Sequence, residues 1–430
     1  MKKKLSQVAM KKLQLHIDIL KESFDSLDKK SIIDAIDLDR FDLILRDHIT
    51  IKDMRDAGSF FTGSALALES INSFNIPISK ESKVLDPACG AGNLLIQISK
   101  TLPIYDNLLD TIKSWGKVLY GFDLHQQFVD AAKIRIILAA LSRGCVKDCT
   151  LETAMSNLNN LHCQDALTIN KESLNNITHI VMNPPFTIIS PPSDNFWKDG
   201  KVNFAGVFLK KFIELSPAGC CFSFILPDVI RSGSRYNHLR EFISNNVLGK
   251  IKIWGRFNVK TDVDVFILSG NKKENIKESI KWNNALHAEK TLSEKFDVRI
   301  GPLVAYRDPK EGELLPYLHP KNCFAWEIKN KADEYRNFLG KGIESPFIVV
   351  KRTSSPKDKF RASATLITIP GKVAVENHLI IIKPKNNSLE DCKKLLKILH
   401  SSDTNSFLND MIRVRHLTVG VVKGIPIKDI

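Results

Sequence analysis

Asp86-Pro87-Ala88-Cys89-Gly90-Ala91-Gly92-Asn93 follows the apolar run Lys83–Asp86 and leads into the helical stretch Asn93–Lys100. Glycine reaches backbone angles closed to other residues and lets a ligand approach the main chain. Open α/β sheets bind ligands at such turns, at the carboxyl ends of their strands. The turn has neither the Gly-Lys-Ser/Thr of a phosphate-binding loop nor the third glycine of a dinucleotide fingerprint. A leading carboxylate without a phosphate-binding lysine suits a ligand that carries a cationic amino-acid end.

Outward from this turn, short apolar runs alternate with helical segments from about 57 to 270. The runs are Lys83–Asp86, Val118–Phe122, Leu161–Gln164, His179–Met182, Gly219–Leu226, Lys250–Trp254 and Val263–Leu268, with helical stretches such as Gln127–Leu141 between the early ones. This alternation predicts an α/β fold, a parallel sheet with helices on both faces. The polar segment Gly255–Asp262 is too short for a helical crossover, so the last two runs read as an antiparallel hairpin at one edge. Residues 1–56 read as a helical arm, with Leu5, Val8, Leu13, Ile17 and Leu20 at helical spacing to pack it on the next domain. The lysine-rich stretch Asn271–Lys281 reads as a boundary. It separates a domain at 57–270 from a second at 282–430, where strand-like runs (Phe347–Val350, Thr365–Ile369, Leu379–Ile382) mix with helical ones (Leu389–His400, Ser406–Val414).

Hydrophobic residues make up 43% and charged residues 26% of the 430 residues, an ordinary globular balance. No apolar run approaches the ~18 residues of a membrane span, and no apolar signal core follows the basic start, so no membrane role is expected. Lys and Arg outnumber Asp and Glu by 62 to 48, a net +14. Such an excess draws polyanions, although a solubility device has the same signature. The eight cysteines form no repeated framework and read as reduced thiols of a cytosolic protein. Cys145, Cys149, His162 and Cys163 match no usual zinc spacing, so no metal is expected.

Two further carboxylates end strands. Asp123 closes Tyr120-Gly121-Phe122-Asp123, 37 residues after Asp86, where about 20 is usual for a ribose-binding acid; Pro103–Gly116 reads as a local insertion. Asp165, in Cys163-Gln164-Asp165-Ala166, ends the third run. Any one of these alone has the makings of a helix cap. Three at successive strand ends suit the three parts of a nucleoside amino acid.

His179-Ile180-Val181-Met182 runs straight into Asn183-Pro184-Pro185-Phe186. Two prolines end the strand and hold a rigid extended turn. Asn183 offers an amide oxygen and Pro184 a carbonyl that no continuing strand uses. Two acceptors side by side can bind both hydrogens of an aromatic amine. That draws the nitrogen lone pair out of the ring, as a weak nucleophile needs before it attacks a sulfonium methyl. Phe186 supplies a face on which a base can stack.

In this order the motifs resemble the gamma-class amino-methyltransferases of DNA, which make N6-methyladenine, in particular those of type II restriction–modification systems. The resemblance covers 57–270. Gly58-Ser59-Phe60-Phe61-Thr62-Gly63 resembles the family's amino-terminal cofactor motif, with Phe61 and Thr62 bordering the methionine part. Asp86–Gly92, including Ala88, Gly90 and Gly92, resembles the central cofactor motif, and Asp123 and Asp165 fall where the family has its ribose and adenine contacts. Asn183, Pro184, Pro185 and Phe186 match its catalytic motif in full. The resemblance implies a class I S-adenosylmethionine-dependent methyltransferase fold, a seven-stranded, mostly parallel sheet with a terminal hairpin. It further implies S-adenosylmethionine as cofactor, a flipped-out adenine in double-stranded DNA as target, and direct transfer without a metal. Trp254-Gly255-Arg256-Phe257-Asn258-Val259 resembles the stretch whose aromatic packs on the flipped base, here Phe257; a core phenylalanine at a hairpin bend accounts for it nearly as well.

In the second half, the apolar run at 347–350 passes into a basic, hydroxyl-rich loop ending at Arg361, and Arg413-Val414-Arg415-His416-Leu417-Thr418 is a second basic cluster. With Gly301-Pro302-Leu303-Val304 and Glu376-Asn377-His378-Leu379 they resemble the target-recognition half of some type II modification enzymes. The resemblance implies an α+β DNA-binding domain with Arg352 and Thr353 as reading residues; a solvated loop has a similar composition. A modification enzyme of this kind works in the nucleoid of a bacterial or archaeal cytoplasm. Residues 1–56 are too few for a nuclease domain, so a cognate restriction endonuclease would be encoded separately. RNA adenine and protein glutamine methyltransferases share the Asn-Pro-Pro-aromatic turn, and a non-catalytic DNA-binding subunit could keep the fold. The long basic second domain favours nucleic acid over protein, and intact Asp86, Gly90, Gly92 and Asn183 favour an active enzyme.

Overall fold

The computed structural model describes residues 7–40, 61–193, 195–197, 200–258, 261–273, 280–283 and 290–427. Leu5, Gly58, Ser59, Phe60, Val259 and the expected boundary at 56/57 lie outside the described residues, as does the side chain of Val8. The chain divides into two compact units, Met1–Lys281 and Trp282–Ile430.

The first unit opens with α1 (Gln7–Ser26), α2 (Lys29–Ile36) and α3 (Ser64–Asn72). Next come β1 (Val84–Asp86), α4 (Asn93–Ser99), α5 (Leu108–Gly116), β2 (Leu119–Asp123), α6 (Gln126–Ser142), α7 (Leu151–Ser156), β3 (Leu161–Cys163) and β4 (His179–Met182). The short pair β5 (Ile188–Ile189) and β6 (Val202–Asn203) precedes α8 (Phe204–Leu215) and β7 (Cys221–Pro227). The unit ends with α9 (Asp228–Ser232), α10 (Asn237–Asn246), β8 (Val247–Asn258) and β9 (Thr261–Lys272). Seven strands form one sheet in the order β3-β2-β1-β4-β7-β9-β8. The pairs from β3 to β7 are parallel, while β9 runs antiparallel to both β7 and β8. The class I methyltransferase sheet with its terminal hairpin is therefore present.

The structure corrects the sequence reading at the hairpin and fills in the insertion expected at Pro103–Gly116. The hairpin strands are longer than the apolar runs, because the segment read as a polar link is itself paired through register shifts at Ile253/Gly255 and Arg256/Asn258. Bulges let a strand continue through residues that break the alternation. Pro103–Gly116 carries α5 as a second helix between β1 and β2, with Trp115 fully buried, which accounts for the long spacing from Asp86 to Asp123.

Helix α6 is apolar nearly all round, and such a helix must be covered on both sides. Leu13, Ile17, Leu20 and Phe24 of α1 and Ile32 of α2 share one core with its Ile134, Ile136, Ile137 and Leu138. The amino-terminal helices thus cover the side of α6 that the sheet leaves open.

The second unit is α+β. It contains α11 (Leu292–Lys295), β10 (Phe296–Ile300), β11 (Glu313–Leu318), β12 (Ile328–Lys329), β13 (Tyr335–Phe338), β14 (Ile343–Glu344), β15 (Phe347–Lys351) and β16 (Ala364–Ile367). It continues with β17 (Lys372–Val375), β18 (Leu379–Pro384), α12 (Leu389–Leu399), α13 (Ser402–Met411) and α14 (Val419–Lys423). A five-stranded sheet has the order β10-β18-β15-β16-β12 and a four-stranded one β13-β11-β17-β14. Alternate residues of β15 face opposite ways: Ile348 and Val350 join Leu395, Leu399 and Leu408 of the helices, whereas Phe347 and Val349 join Val373 and Val375. Helix α13 begins earlier than the apolar spacing at 406–414 suggests, because the Ser401 side chain caps it by accepting from Thr404 N, and Ile412 is already extended.

Candidate active site

In the order β3-β2-β1-β4 the chain fills the sheet to one side of β1 and then crosses to the other, so β1 and β4 flank a topological switch point. Asp86 is the last residue of β1 and Asp123 the last of β2. Ala88 N donates to Asp86 Oδ1 at 3.1 Å, and Gly90 N donates to Asp123 Oδ2 at 3.2 Å. The second bond ties the glycine turn to the neighbouring strand end. Gly90 and Gly92 have φ of 52° and 84°, where a side chain is strained. There is also no room for one: a Cβ on Gly90 would lie 2.8 Å from Phe61 Cε1, and one on Gly92 3.0 Å from Ala132 Cβ.

Burial pushes the Asp86 carboxyl up from 3.8 to about 7, opposed by the Ala88 amide and reinforced by the Asp123 charge. A buried carboxyl in this condition gains most from a cation. The turn therefore offers a buried carboxylate as acceptor for the ammonium of an amino-acid ligand, the chemistry that S-adenosylmethionine would need there. Cys89 is buried in the same turn, and burial together with Asp123 and Asp86 drives its thiol pKa well up, so it is no thiolate nucleophile.

Asp123 also accepts from His125 N through Oδ1 at 2.9 Å, so it both closes the turn that leads into α6 and braces Gly90. Asp165 does not end a strand: β3 stops at Cys163, and Asp165 lies in the following turn, where Oδ1 accepts from Leu167 N at 3.0 Å. Gln164 N still reaches Asp123 O of β2 at 2.8 Å, and the chain then turns at Asp165, whose O accepts from Thr168 N at 2.9 Å.

Across the switch point, β4 delivers Asn183. Pro184 is buried, and Asn183, Pro185 and Phe186 are half-buried. Asn183 Nδ2 donates to Thr62 Oγ1 at 3.0 Å. The loop after Phe186 is pinned from within: Asn203 Nδ2 donates to Phe186 O at 2.9 Å, and Asn203 N donates to Tyr236 Oη at 2.8 Å. Phe257 meets Phe186 edge to face, with ring centroids 5.9 Å apart and planes at 79°. Phe257 itself is only 5% exposed. The two aromatics selected from sequence are thus neighbours, Phe186 in front and Phe257 behind it.

Several site residues were not anticipated. Arg135, fully buried in α6, donates through Nη1 to Asn93 Oδ1 and to Ala91 O, both at 2.7 Å, and through Nε to Ala35 O at 2.8 Å. Burial lowers this guanidinium to about 9, against the pull of Asp37, and it remains charged at neutral pH. Asn93 in turn donates through Nδ2 to Leu38 O at 3.1 Å and to Thr62 O at 2.8 Å. One charge inside Ile134-Arg135-Ile136-Ile137-Leu138 is the signal that could have found this clamp, since a charge in a buried helix must have partners. Beside the carboxyl end of β4, Asp228 and Arg231 form a buried ion pair at 2.7 Å just after β7.

In the second unit, the four stretches singled out from sequence converge. Gly301 N and Leu303 N donate to Leu379 O and Val375 O, at 2.9 and 3.1 Å. Arg352 N donates to His378 O at 3.0 Å, Leu417 N donates to Arg352 O at 2.8 Å, and Ser354 N donates to Arg415 O at 2.8 Å. Thr353, Arg415 and His416 are exposed there. Among the described residues, Arg352 Nε is buried without a hydrogen-bond partner. Arg361, read with the basic loop, is instead a buried clamp that donates to Ile412 O, to Val414 O at 2.7 Å and to Ser354 Oγ at 3.2 Å.

Among the described residues no group of three or more His, Cys, Asp or Glu is placed to hold a metal, and no helix is long and apolar enough to cross a membrane. The family model described as N-6 DNA methylase matches residues 38–296. No curated protein matches the chain. Among solved structures, the chain is similar to the type IIG restriction endonuclease BpuSI, at 14% identity over 97% of this chain and 69% of that one, with a TM-score of 0.44. It is similar to the type IIL restriction–modification enzyme MmeI in complex with DNA, at 11% identity over 80% of this chain and 62% of that one, TM-score 0.49. It is also similar to a modification subunit of a putative type I restriction enzyme from Vibrio vulnificus, at 15% identity over 58% of this chain and 51% of that one, TM-score 0.40.

Proposed function

The chain belongs to the N-6 DNA methylase family, which makes it a DNA adenine methyltransferase, and we propose that it uses S-adenosylmethionine on an adenine flipped out of double-stranded DNA. The observation that carries this reading is the placement of Asn183 at the end of β4, next to the β1 strand whose end begins the glycine turn. When bound, the cofactor supplies an electrophilic methyl on a sulfonium. Asp86 would hold the ammonium, the backbone at Gly90 and Gly92 would admit the ligand, Phe61, Thr62 and Ala88 would border it, and Asp123 and Asp165 would take the ribose and adenine.

An amine inside a duplex is out of reach, so the target base must leave the stack. Asn183 Oδ1 and Pro184 O would accept its two amine hydrogens and hold the nitrogen in line, with Pro185 keeping the turn rigid. Phe186 would stack on the base, braced by Phe257. Holding the reactants in register and placing acceptors where positive charge develops would supply the rate. We take 57–270 as the catalytic domain and 282–430 as the target-recognition domain, with Arg352 and Thr353 on the DNA. The role that suits such a pair is modification within a restriction–modification system of a bacterial or archaeal cytoplasm, a cognate endonuclease being a separate chain.

The test is labelled methyl transfer to unmodified bacterial DNA, with RNA and protein as parallel substrates. Asn183→Ala should reduce transfer to DNA by at least about 100-fold while cofactor binding stays within a few-fold. Retained turnover, or label on RNA or protein in place of DNA, would overturn the reading.

A further inference from the structure

We propose that Thr62 is a positioning residue for Asn183, setting which side of its amide faces the target amine. The inference deepens the reading above and rests on it. An amide has an acceptor end and a donor end of nearly the same shape, and only the acceptor end can take a hydrogen of the adenine amine. An Asn183 turned the wrong way would present NH2 to NH2. Thr62 Oγ1 accepts from Asn183 Nδ2 at 3.0 Å, which assigns the donor end to Thr62 and the acceptor end to the opposite side.

Thr62 is able to do this because it is itself held. It is 2% exposed, and its main-chain oxygen accepts from Asn93 Nδ2 at 2.8 Å. Asn93 is fixed by Arg135 Nη1 at 2.7 Å, and the same guanidinium holds Ala91 O of the glycine turn. A chain of hydrogen bonds, buried up to Thr62 and part-buried at its last step, therefore runs from the cofactor turn to the amide of Asn183. The hydroxyl of Thr62 is its last link, and its only side-chain link on Thr62. The two bonds can be separated, because the Asn93 bond uses the main chain and survives any substitution at position 62.

Thr62→Val keeps the β-branched shape and removes the hydroxyl. The productive amide orientation then leaves Nδ2 facing a methyl group, and kcat should fall about 5- to 150-fold, the equivalent of stranding one part-buried donor. Cofactor affinity, from equilibrium titration, and DNA affinity should stay within about 2-fold, with the melting temperature lowered only by the few degrees that losing one hydrogen bond entails. Thr62→Ser restores the acceptor and should recover most of kcat. Were Thr62 a cofactor contact only, Thr62→Val would weaken cofactor binding and leave kcat at saturation near wild type, which overturns the inference. Equal kcat loss in Thr62→Ser and Thr62→Val also overturns it, since the hydroxyl would then not matter. If wild-type protein methylates no DNA, the functional reading fails instead, and that result is distinct from either outcome.

Discussion

Replacing Asp86 by asparagine should stabilise the cofactor-free protein above neutral pH while weakening cofactor binding. Asp86 is 2% exposed, and its carboxyl titrates at about 7 instead of 3.8. The folded protein therefore keeps a proton that the unfolded chain has already released. Below about pH 4 both states are protonated and the group is neutral in effect. As pH rises from 3.8 to about 7, ionisation increasingly favours the unfolded chain, and stability is lost through this window. Above 7 the whole penalty stands. The gap is about 3 pH units, which at about 1.36 kcal/mol each is about 4 kcal/mol. Asparagine has no charge to bury, and its Oδ1 can still accept from Ala88 N. The assay is denaturant unfolding of both proteins between pH 4 and 8.5 without cofactor, following tryptophan fluorescence in chains whose Trp282 and Trp326 are replaced by Phe, so that the first unit with its buried Trp115 is reported. The difference between the two proteins should grow by about 2–4 kcal/mol from the acid to the alkaline end, and saturating cofactor should reverse the order by stabilising wild type more. A pH-independent difference, or a wild type that gains stability from pH 4 to 7 relative to the variant, would refute the reasoning.

Gly90→Ala meets a positive φ and a ring at once. It should cost about 1–3 kcal/mol in unfolding, and Phe61→Leu in the same chain should recover the contact part alone; equal costs in both backgrounds would show that the 2.8 Å approach to Phe61 is not felt. Arg352→Ala should weaken DNA binding by about 1–3 kcal/mol with cofactor affinity unchanged. An unchanged DNA Kd measured at several salt concentrations would remove this residue from the DNA-reading surface.

The sheet was legible because its strands are short apolar runs ended by strong punctuation. Pro184 and Pro185 stop β4 where they stand, and the glycines after Asp86 mark both the end of β1 and the start of α4. Side chains at strand ends could likewise be placed directly, among them Asp86 and Asp123 as last residues of β1 and β2 and Asn183 just past β4. Phe257 was chosen for its place beside the hairpin, and its contact with Phe186 follows from β8 continuing through two register shifts. Most of the second unit was not legible. β12 and β14 have two residues each, too few for periodicity to register, and they exist because a longer neighbour offers them hydrogen bonds.

What no local pattern carries is the buried polar chain behind the site. Thr62 meets Asn93 across 31 residues and Asn183 across 121, while Arg135 reaches back 100 residues to Ala35. None of these pairs shares a helix or a strand. Each is nonetheless demanded by energetics, since a buried amide or guanidinium without a partner would cost several kcal/mol. The polar residues of an apolar core therefore identify one another once the fold is known: Arg135 requires acceptors, Asn93 Oδ1 is one, and Asn93 Nδ2 then requires its own. Following that requirement leads from the amino-terminal helices to Asn183 at the end of β4. The site is thus supported from two sides, by a backbone that glycine and proline hold in unusual shapes and by a core whose few polar groups have little freedom to turn.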